Sequence, residues 1–284
     1  MSGRPLTGAL ATLTSVTSAT DLNTLLVSAL KINEVRINQD TEFFDVSELS
    51  GSGSAVERVV GLAAGTFDFT GFYPKSAPRI GNSGFVSYSS GGYAEIVTKW
   101  SITVDFGEHD ITAMTGAAVS AKVFMPSGIF SWSGSYTAHA VSGNAIVGPS
   151  SVNAAIATGT FKITEDGAAD PALSGSVVVT GVKQMIRKAD LQACEYTFQG
   201  AGALTETVGS TLPGLRKTTT GTWGTPDWDT DADGVPDVSV VLTTFTGRTI
   251  TAAAFLKSIT IECQMGQPVK VSGTCRYSGT VSRA

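Results

Sequence analysis

The densest run of chemically capable side chains in this 284-residue sequence lies between Asp227 and Asp237, in Asp-Trp-Asp-Thr-Asp-Ala-Asp-Gly-Val-Pro-Asp. Asp229, Asp231 and Asp233 alternate ahead of Gly234, so hard oxygen ligands converge with a glycine at the bend, the arrangement of a calcium loop. Counted from Asp229, the twelfth position is Val240 and not a bidentate Glu, which makes the loop partial and leaves Asp237 as its late ligand. Four carboxylates this close repel one another unless a cation sits between them. An acidic loop solvated after Pro226 is the plainer alternative. Any calcium held here is structural, and no other cofactor is called for.

Catalytic patterns are sparse. The two histidines, His109 and His139, belong to neither an HExxH nor a GxSxG pattern. His109 beside Asp110 reads as a turn residue at a strand end, and Ser and Thr are too plentiful to single out a nucleophile. The glycines fall at strand ends and not in a strand-to-helix phosphate loop. Cys194, Cys263 and Cys275 form an odd set without CxxC spacing. Cys263 and Cys275 flank a hairpin at Gly266-Gln267-Pro268 and either face each other or stay reduced and buried, the second being the reading that suits a cytoplasmic chain. The chain is read as a non-enzyme.

The elements that must position these residues are strands. Residues 31–38 and 99–106 alternate polar and apolar side chains, as half-buried strands do. Further strands are expected near 66–73, 129–138, 158–164, 176–180, 195–199, 238–244, 258–264 and 269–277. One short helix is expected after Asp21, with Leu22, Leu25, Leu26, Ala29 and Leu30 on one face. The fold class is mainly β with few short helices.

Composition narrows the function. The chain is 42% hydrophobic but only 15% charged, with 32 Gly and a net charge of -5. That excludes intrinsic disorder and argues against tight nucleic-acid binding, which needs a basic footprint. No run approaches the ~18 apolar residues of a membrane span. The opening Met1-Ser2-Gly3-Arg4-Pro5 leads into no continuous apolar core of a signal peptide, so synthesis in a reducing cytoplasm is expected. A surface poor in charge and rich in small polar residues suits burial against partners.

The sequence also repeats. Val35 to Asp40 followed by Asp45-Val46-Ser47 matches Trp100 to Asp105 followed by Asp110-Ile111-Thr112, at a constant offset of 65. Phe67-Asp68-Phe69-Thr70-Gly71-Phe72-Tyr73 matches Phe130-Ser131-Trp132-Ser133-Gly134-Ser135-Tyr136 at 63, and the stretch from Cys194 to Leu204 matches Val271 to Val281 at 77. The half-units run first, first, second, second, which is not a tandem duplication. One unit nested inside another explains the order: residues 85–210 form an inserted domain, 21–80 plus 213–284 a discontinuous one, and 1–20 a flexible arm. Outer halves exchanged between protomers are the rival geometry.

The Trp100 strand, Asp110-Ile111-Thr112, Phe130 to Ser135 and the strand ending Phe198-Gln199-Gly200-Ala201-Gly202-Ala203-Leu204 together resemble the tail tube (major tail) proteins of long-tailed bacteriophages. The outer set around Asp45-Val46-Ser47, residues 66–71 and 269–279 looks like a second copy. The resemblance implies two β-sandwich or barrel-like units. It implies inner sheets that join across subunits into rings, and rings that stack into a tube conducting DNA to the host. Such a chain is a virion component assembled in the host cytoplasm, with tail terminator, tape measure and tail tip proteins as partners. Two units per chain suggest a homotrimeric ring of pseudo-sixfold symmetry.

DNA must pass the lumen without sticking, so acids are expected to line it, with Asp40, Glu42, Asp105 and Glu108 as candidates. Lys183, Arg187 and Lys188 form a basic group at a hairpin and are candidates for contact between rings. The alternative function is a calcium-stabilised extracellular β-sandwich binding module; a β-sandwich hydrolase is a weaker third reading, since no His-based or metal site supports it.

Overall fold

The computed structural model describes residues 12–15, 30–45, 58–73, 85–88, 96–112, 121–127, 131–139, 157–162, 172–186, 192–206, 239–243, 249–279 and 281–283. Among them the alternating segments are strands, and no residue is helical. The helix expected after Asp21 lies outside the described residues except for Leu30, which is buried and non-helical. In chain order the first eight strands are β1 (Thr12–Ser15), β2 (Lys31–Asp45), β3 (Arg58–Phe72), β4 (Phe85–Tyr88), β5 (Ile96–Asp105), β6 (Glu108–Asp110), β7 (Phe124–Pro126) and β8 (Ser131–His139). They continue with β9 (Ala157–Lys162), β10 (Ala172–Met185), β11 (Ala193–Glu206), β12 (Ser239–Thr243), β13 (Thr249–Gln264), β14 (Lys270–Tyr277) and β15 (Ser282–Arg283). Four residues of the expected arm therefore form a strand, β1, which pairs with β12.

One large antiparallel sheet runs β2-β3-β14-β13-β5-β8-β11-β10-β9-β4, with β1, β12 and β15 attached beside it and β6-β7 as a separate ribbon. Its first eight strands are two consecutive runs, β2-β3-β14-β13 and β5-β8-β11-β10. Each places its strands in the chain order first, second, fourth, third.

The registers of the two runs correspond rung by rung. In the first, Val35 pairs with Phe69, Phe69 with Gly273 and Gly273 with Ile259. In the second, Trp100 pairs with Tyr136, Tyr136 with Tyr196 and Tyr196 with Val182. The offsets are 65 from Val35 to Trp100, 67 from Phe69 to Tyr136 and 77 for both remaining strands. Irregularities recur at matching places, between Ile32 and Glu34 as between Val97 and Lys99, and between Leu256 and Ser258 as between Val179 and Gly181.

The offset of 63 read for the second strand of each run is corrected to 67. A slip of four residues keeps every side chain on its own face of a strand, so period-2 patterning cannot detect it.

One face of this sheet carries the core. Phe67, Phe69, Trp100, Ile102, Trp132, Tyr136, Tyr196, Phe198, Ile259 and Val271 are all buried there in one cluster. Large rings fit because small residues stand opposite them. A Cβ on Gly175 would meet Trp132 Cζ2 at 2.5 Å, one on Gly273 would meet Phe69 Cζ at 2.6 Å, and one on Gly200 would run into the indole of Trp132. Where both partners are large, Tyr136 and Tyr196 stack with centroids 4.5 Å apart, an arrangement that adds roughly 0.5–1.5 kcal/mol beyond area burial.

Candidate assembly edges and polar face

The opposite face of the same strands is lined by hydroxyls and scattered charges. Thr103 and Thr260 share a hydrogen bond of 2.9 Å across the β5-β13 junction, and Ser101 and Ser135 one of 3.2 Å across β5-β8. Asp68 ties three strands together: its carboxylate accepts from Asn38 Nδ2 at 2.9 Å on β2 and from Thr274 Oγ1 at 2.7 Å on β14. Such cross-strand pairs hold a polar sheet face in place without large side chains.

The four acids named as lumen candidates have different surroundings. Asp40 is exposed on β2, opposite Ala64. Asp105 is exposed at the end of β5 and accepts from the Gly107 amide at 2.8 Å. Glu42 sits at a bulge of β2 between Thr41 and Phe43 and forms an ion pair with Lys122. Glu108 is only 20% exposed and lies between two cations, Lys257 Nζ at 3.0 Å and Arg276 Nε at 3.5 Å. Arg276 in turn stacks over the Phe124 ring at 3.8 Å.

Lys257 reaches Glu108 because it is the extra residue in the bulge between Leu256 and Ser258; bulges re-aim side chains in this way. Asp110 lies in the same region. Hydrogen bonds from the Thr112 hydroxyl and amide hold its carboxyl below the usual range, with Lys122 adding to the effect against the opposing cost of burial. Sequence alone did not single out Lys122, Lys257, Arg276 or Asp68. The one legible trace was the pair of consecutive polar residues, Lys257-Ser258, between the apolar run Ala252 to Leu256 and the alternating stretch from Ile259.

Of the basic group, Lys183 is described: it is 72% exposed on β10, with its ammonium 4.0 Å from Glu195. Arg187 and Lys188 lie outside the described residues, as do Asp229, Asp231, Asp233 and Asp237. Among the described residues no three His, Cys, Asp or Glu side chains group as a metal site. The three cysteines are buried and unbridged. Burial pushes the Cys263 thiol up to about 11 and raises that of Cys275 further, with Asp68 adding to the second. A cavity of ≈ 140 Å³ bounded by Gln39, Ala63, Ala64, Ala121 and Val281 has no titratable side chain among the described residues of its lining. Among the described residues no helix is long and apolar enough to cross a membrane.

Two edges complete the surface. Among the described residues β2 pairs with β3 alone, so its other side is open along its length. Among the described residues β10 is covered by β9 only over Ala172–Val177, and Val178 onward has no strand on that side. Open edges offer unsatisfied backbone donors and acceptors to another strand.

No family model matches the sequence, and no curated protein matches it significantly. Two solved structures are similar at low identity. One is a chain of the sheath–tube complex of the PVC extracellular contractile injection system, 14% identical, with a TM-score of 0.33, covering 45% of this chain and 89% of that one. The other is the SPP1 tail tube, 13% identical, with a TM-score of 0.34, covering 50% of this chain and 88% of that one.

Proposed function

We propose that this chain is a structural virion protein whose copies form the stacked rings of a bacteriophage tail tube, the conduit through which DNA leaves the particle. The observation that carries the reading is the pair of consecutive four-stranded runs with matching order and registers, fused edge to edge through β13 and β5, with β2 and part of β10 unpaired on their outer sides among the described residues. A sheet that already joins one unit to the next inside a chain is suited to go on joining between chains. Of the tail-tube motifs of the sequence, the Trp100 strand, Ser131 to Ser135, Phe198 to Leu204 and residues 66–71 lie within those runs.

On this reading the units are the nested pair, 85–210 within 21–80 plus 213–284, and the ring is a homotrimer with pseudo-sixfold symmetry. The hydroxyl-lined face, with Asp40 and Asp105 exposed on it, is the lumen wall: it offers DNA hydrogen bonding of neutral groups and a few repelling charges. Tail terminator, tape measure and tail tip proteins are the partners at the ends and inside of such a tube.

Negative-stain microscopy and native mass spectrometry of the purified chain test the reading. Stacked rings whose smallest closed species is a trimer are expected. A chain that stays monomeric at high concentration, with neither rings nor tubes, would sink it.

A further inference from the structure

We propose that the open stretch of β10 from Val178, with Ile186 just beyond it, pairs with β2 of a second copy of the chain, in the register that β13 and β5 use within one chain. This rests on the self-assembly reading and adds to it the two edges, the register and the residues that make the contact specific.

The template is internal. β13 pairs with β12 over its first part, Ser239 to Thr243 against Ala253 to Thr249, and with β5 over its second, Ser258 to Gln264 against Asp105 to Lys99. β10 has the same division of labour half completed: β9 takes Ala172–Val177, and the remainder has no neighbour on that side among the described residues. The offset of 77 carries Ser258 to Gly181 and Cys263 to Ile186, and the offset of 65 carries Asp105 to Asp40 and Trp100 to Val35. The rungs that follow place Gly181 opposite Asp40, Lys183 opposite Asn38 and Ile186 opposite Val35.

Ile186 is 68% exposed although it is a large apolar residue. Its counterpart Cys263 is 1% exposed, covered by β5. The same cover, supplied by β2 of another copy, would bury Ile186 against Val35, which already packs on the rim of the core. Within one chain β2 and β10 are not paired with each other among the described residues; they lie at opposite ends of the eight strands.

The polar side of the seam differs from its template in chemistry. Inside the chain the matching rung is a pair of hydroxyls, Thr103 and Thr260. Between chains it would bring the Lys183 ammonium, now 72% exposed, to Asn38 with Asp40 and Arg36 on the diagonals. With Arg36 ion-paired to Glu34 at 2.7 Å, the diagonal from Lys183 to the exposed Asp40 favours this edge pair over a β2 edge meeting another β2, which offers no such lysine. Lys183 thereby belongs to a seam within a ring and not to a stacking contact, and Asp40 lies on the same seam where it meets the hydroxyl-lined face.

The test uses the full chain with paired cysteines, the native three being buried. Under mild oxidation, Lys183→Cys with Asn38→Cys should give disulfide-linked multimers on a non-reducing gel. Lys183→Cys with Glu34→Cys, on the same face but four residues off, should give less than about a tenth as much. Equal cross-linking of the two pairs, or assembled rings without cross-linking at 183 and 38, overturns the register while leaving self-assembly intact. A wild-type chain that forms no oligomer under the same conditions overturns both. As a second arm, Ile186→Asp should weaken assembly by about tenfold or more with an unchanged melting temperature of the monomer; assembly at the wild-type level overturns the proposal.

Discussion

The indole Nε1 of Trp132 donates a hydrogen bond of 3.0 Å to the carbonyl oxygen of Gly202, joining β8 to β11 across 70 residues of sequence. Gly202 has φ of 95°, in the left-handed region, and its counterpart Gly279, 77 residues on, has φ of 82°. Glycine adopts this conformation without strain, and here it aims the carbonyl at the ring. Beside it Gly200 has its Cα–H against the same indole.

Trp132 therefore anchors its unit twice, by burial and by this bond. Trp132→Ala should cost about 3–5 kcal/mol, and Gly200→Ala about 1–3 kcal/mol because the added methyl overpacks the ring. Urea unfolding followed by circular dichroism checks both. A Gly200→Ala protein as stable as wild type would show that the ring is not held as described.

The Glu108 carboxylate is a brace and not an ornament of the surface. Glu108→Ala leaves Lys257 and Arg276, which are 35% and 18% exposed, without their shared partner, and about 1–3 kcal/mol of stability should be lost. A double-mutant cycle with Lys257→Ala should show non-additivity. Strict additivity would mean that the pair contributes nothing.

Alkaline pH should loosen the core. The thiol of Cys263 is raised from an ordinary value of 9.0 to about 11 because burial opposes the thiolate. The folded state thus holds this proton more tightly than the unfolded one. The associated stability is complete below pH 9 and is lost as pH rises toward 11, by about 2–3 kcal/mol. Cys275 and Tyr277 are raised in the same direction by the same cause. Melting temperatures between pH 8 and 10.5 should fall, and Cys263→Ala should make the fall shallower; an identical slope in that variant would contradict the assignment.

Charge on the hydroxyl-lined face should decide whether tubes hold DNA. Asp105→Lys reverses an exposed charge there, so assembled variant tubes should retain DNA in co-sedimentation at low salt and release it as salt rises. Wild-type tubes should retain little. Equal retention by both would place Asp105 away from the DNA path.

The main strands and the offsets of 65 and 77 were legible because alternation and short motifs survive in the first and fourth strands of each run. The second strand misled for a specific reason. Phe67 stands opposite Cys275 in one run where Gly134 stands opposite Phe198 in the other, and Phe69 opposite Gly273 where Tyr136 meets Tyr196. Bulk has moved across the rung, so Phe67-x-Phe69-x-Gly71 aligned best with Phe130-x-Trp132-x-Gly134 and not with its structural counterpart. The neighbours of the acids were hidden by distance along the chain: Glu108 and Lys257 are 149 residues apart, and only the strand order brings them together.

The junction of β13 with β5 has a counting consequence. In the ring proposed above that seam is built into every polypeptide and never opens by dissociation, so the ring has half as many gaps to close as one made of single units. Each arriving chain carries two units for a single loss of translational freedom, which favours nucleation at low protein concentration. On that proposal the number of units in a closed ring is even, so a five-unit or seven-unit error is forbidden by parity.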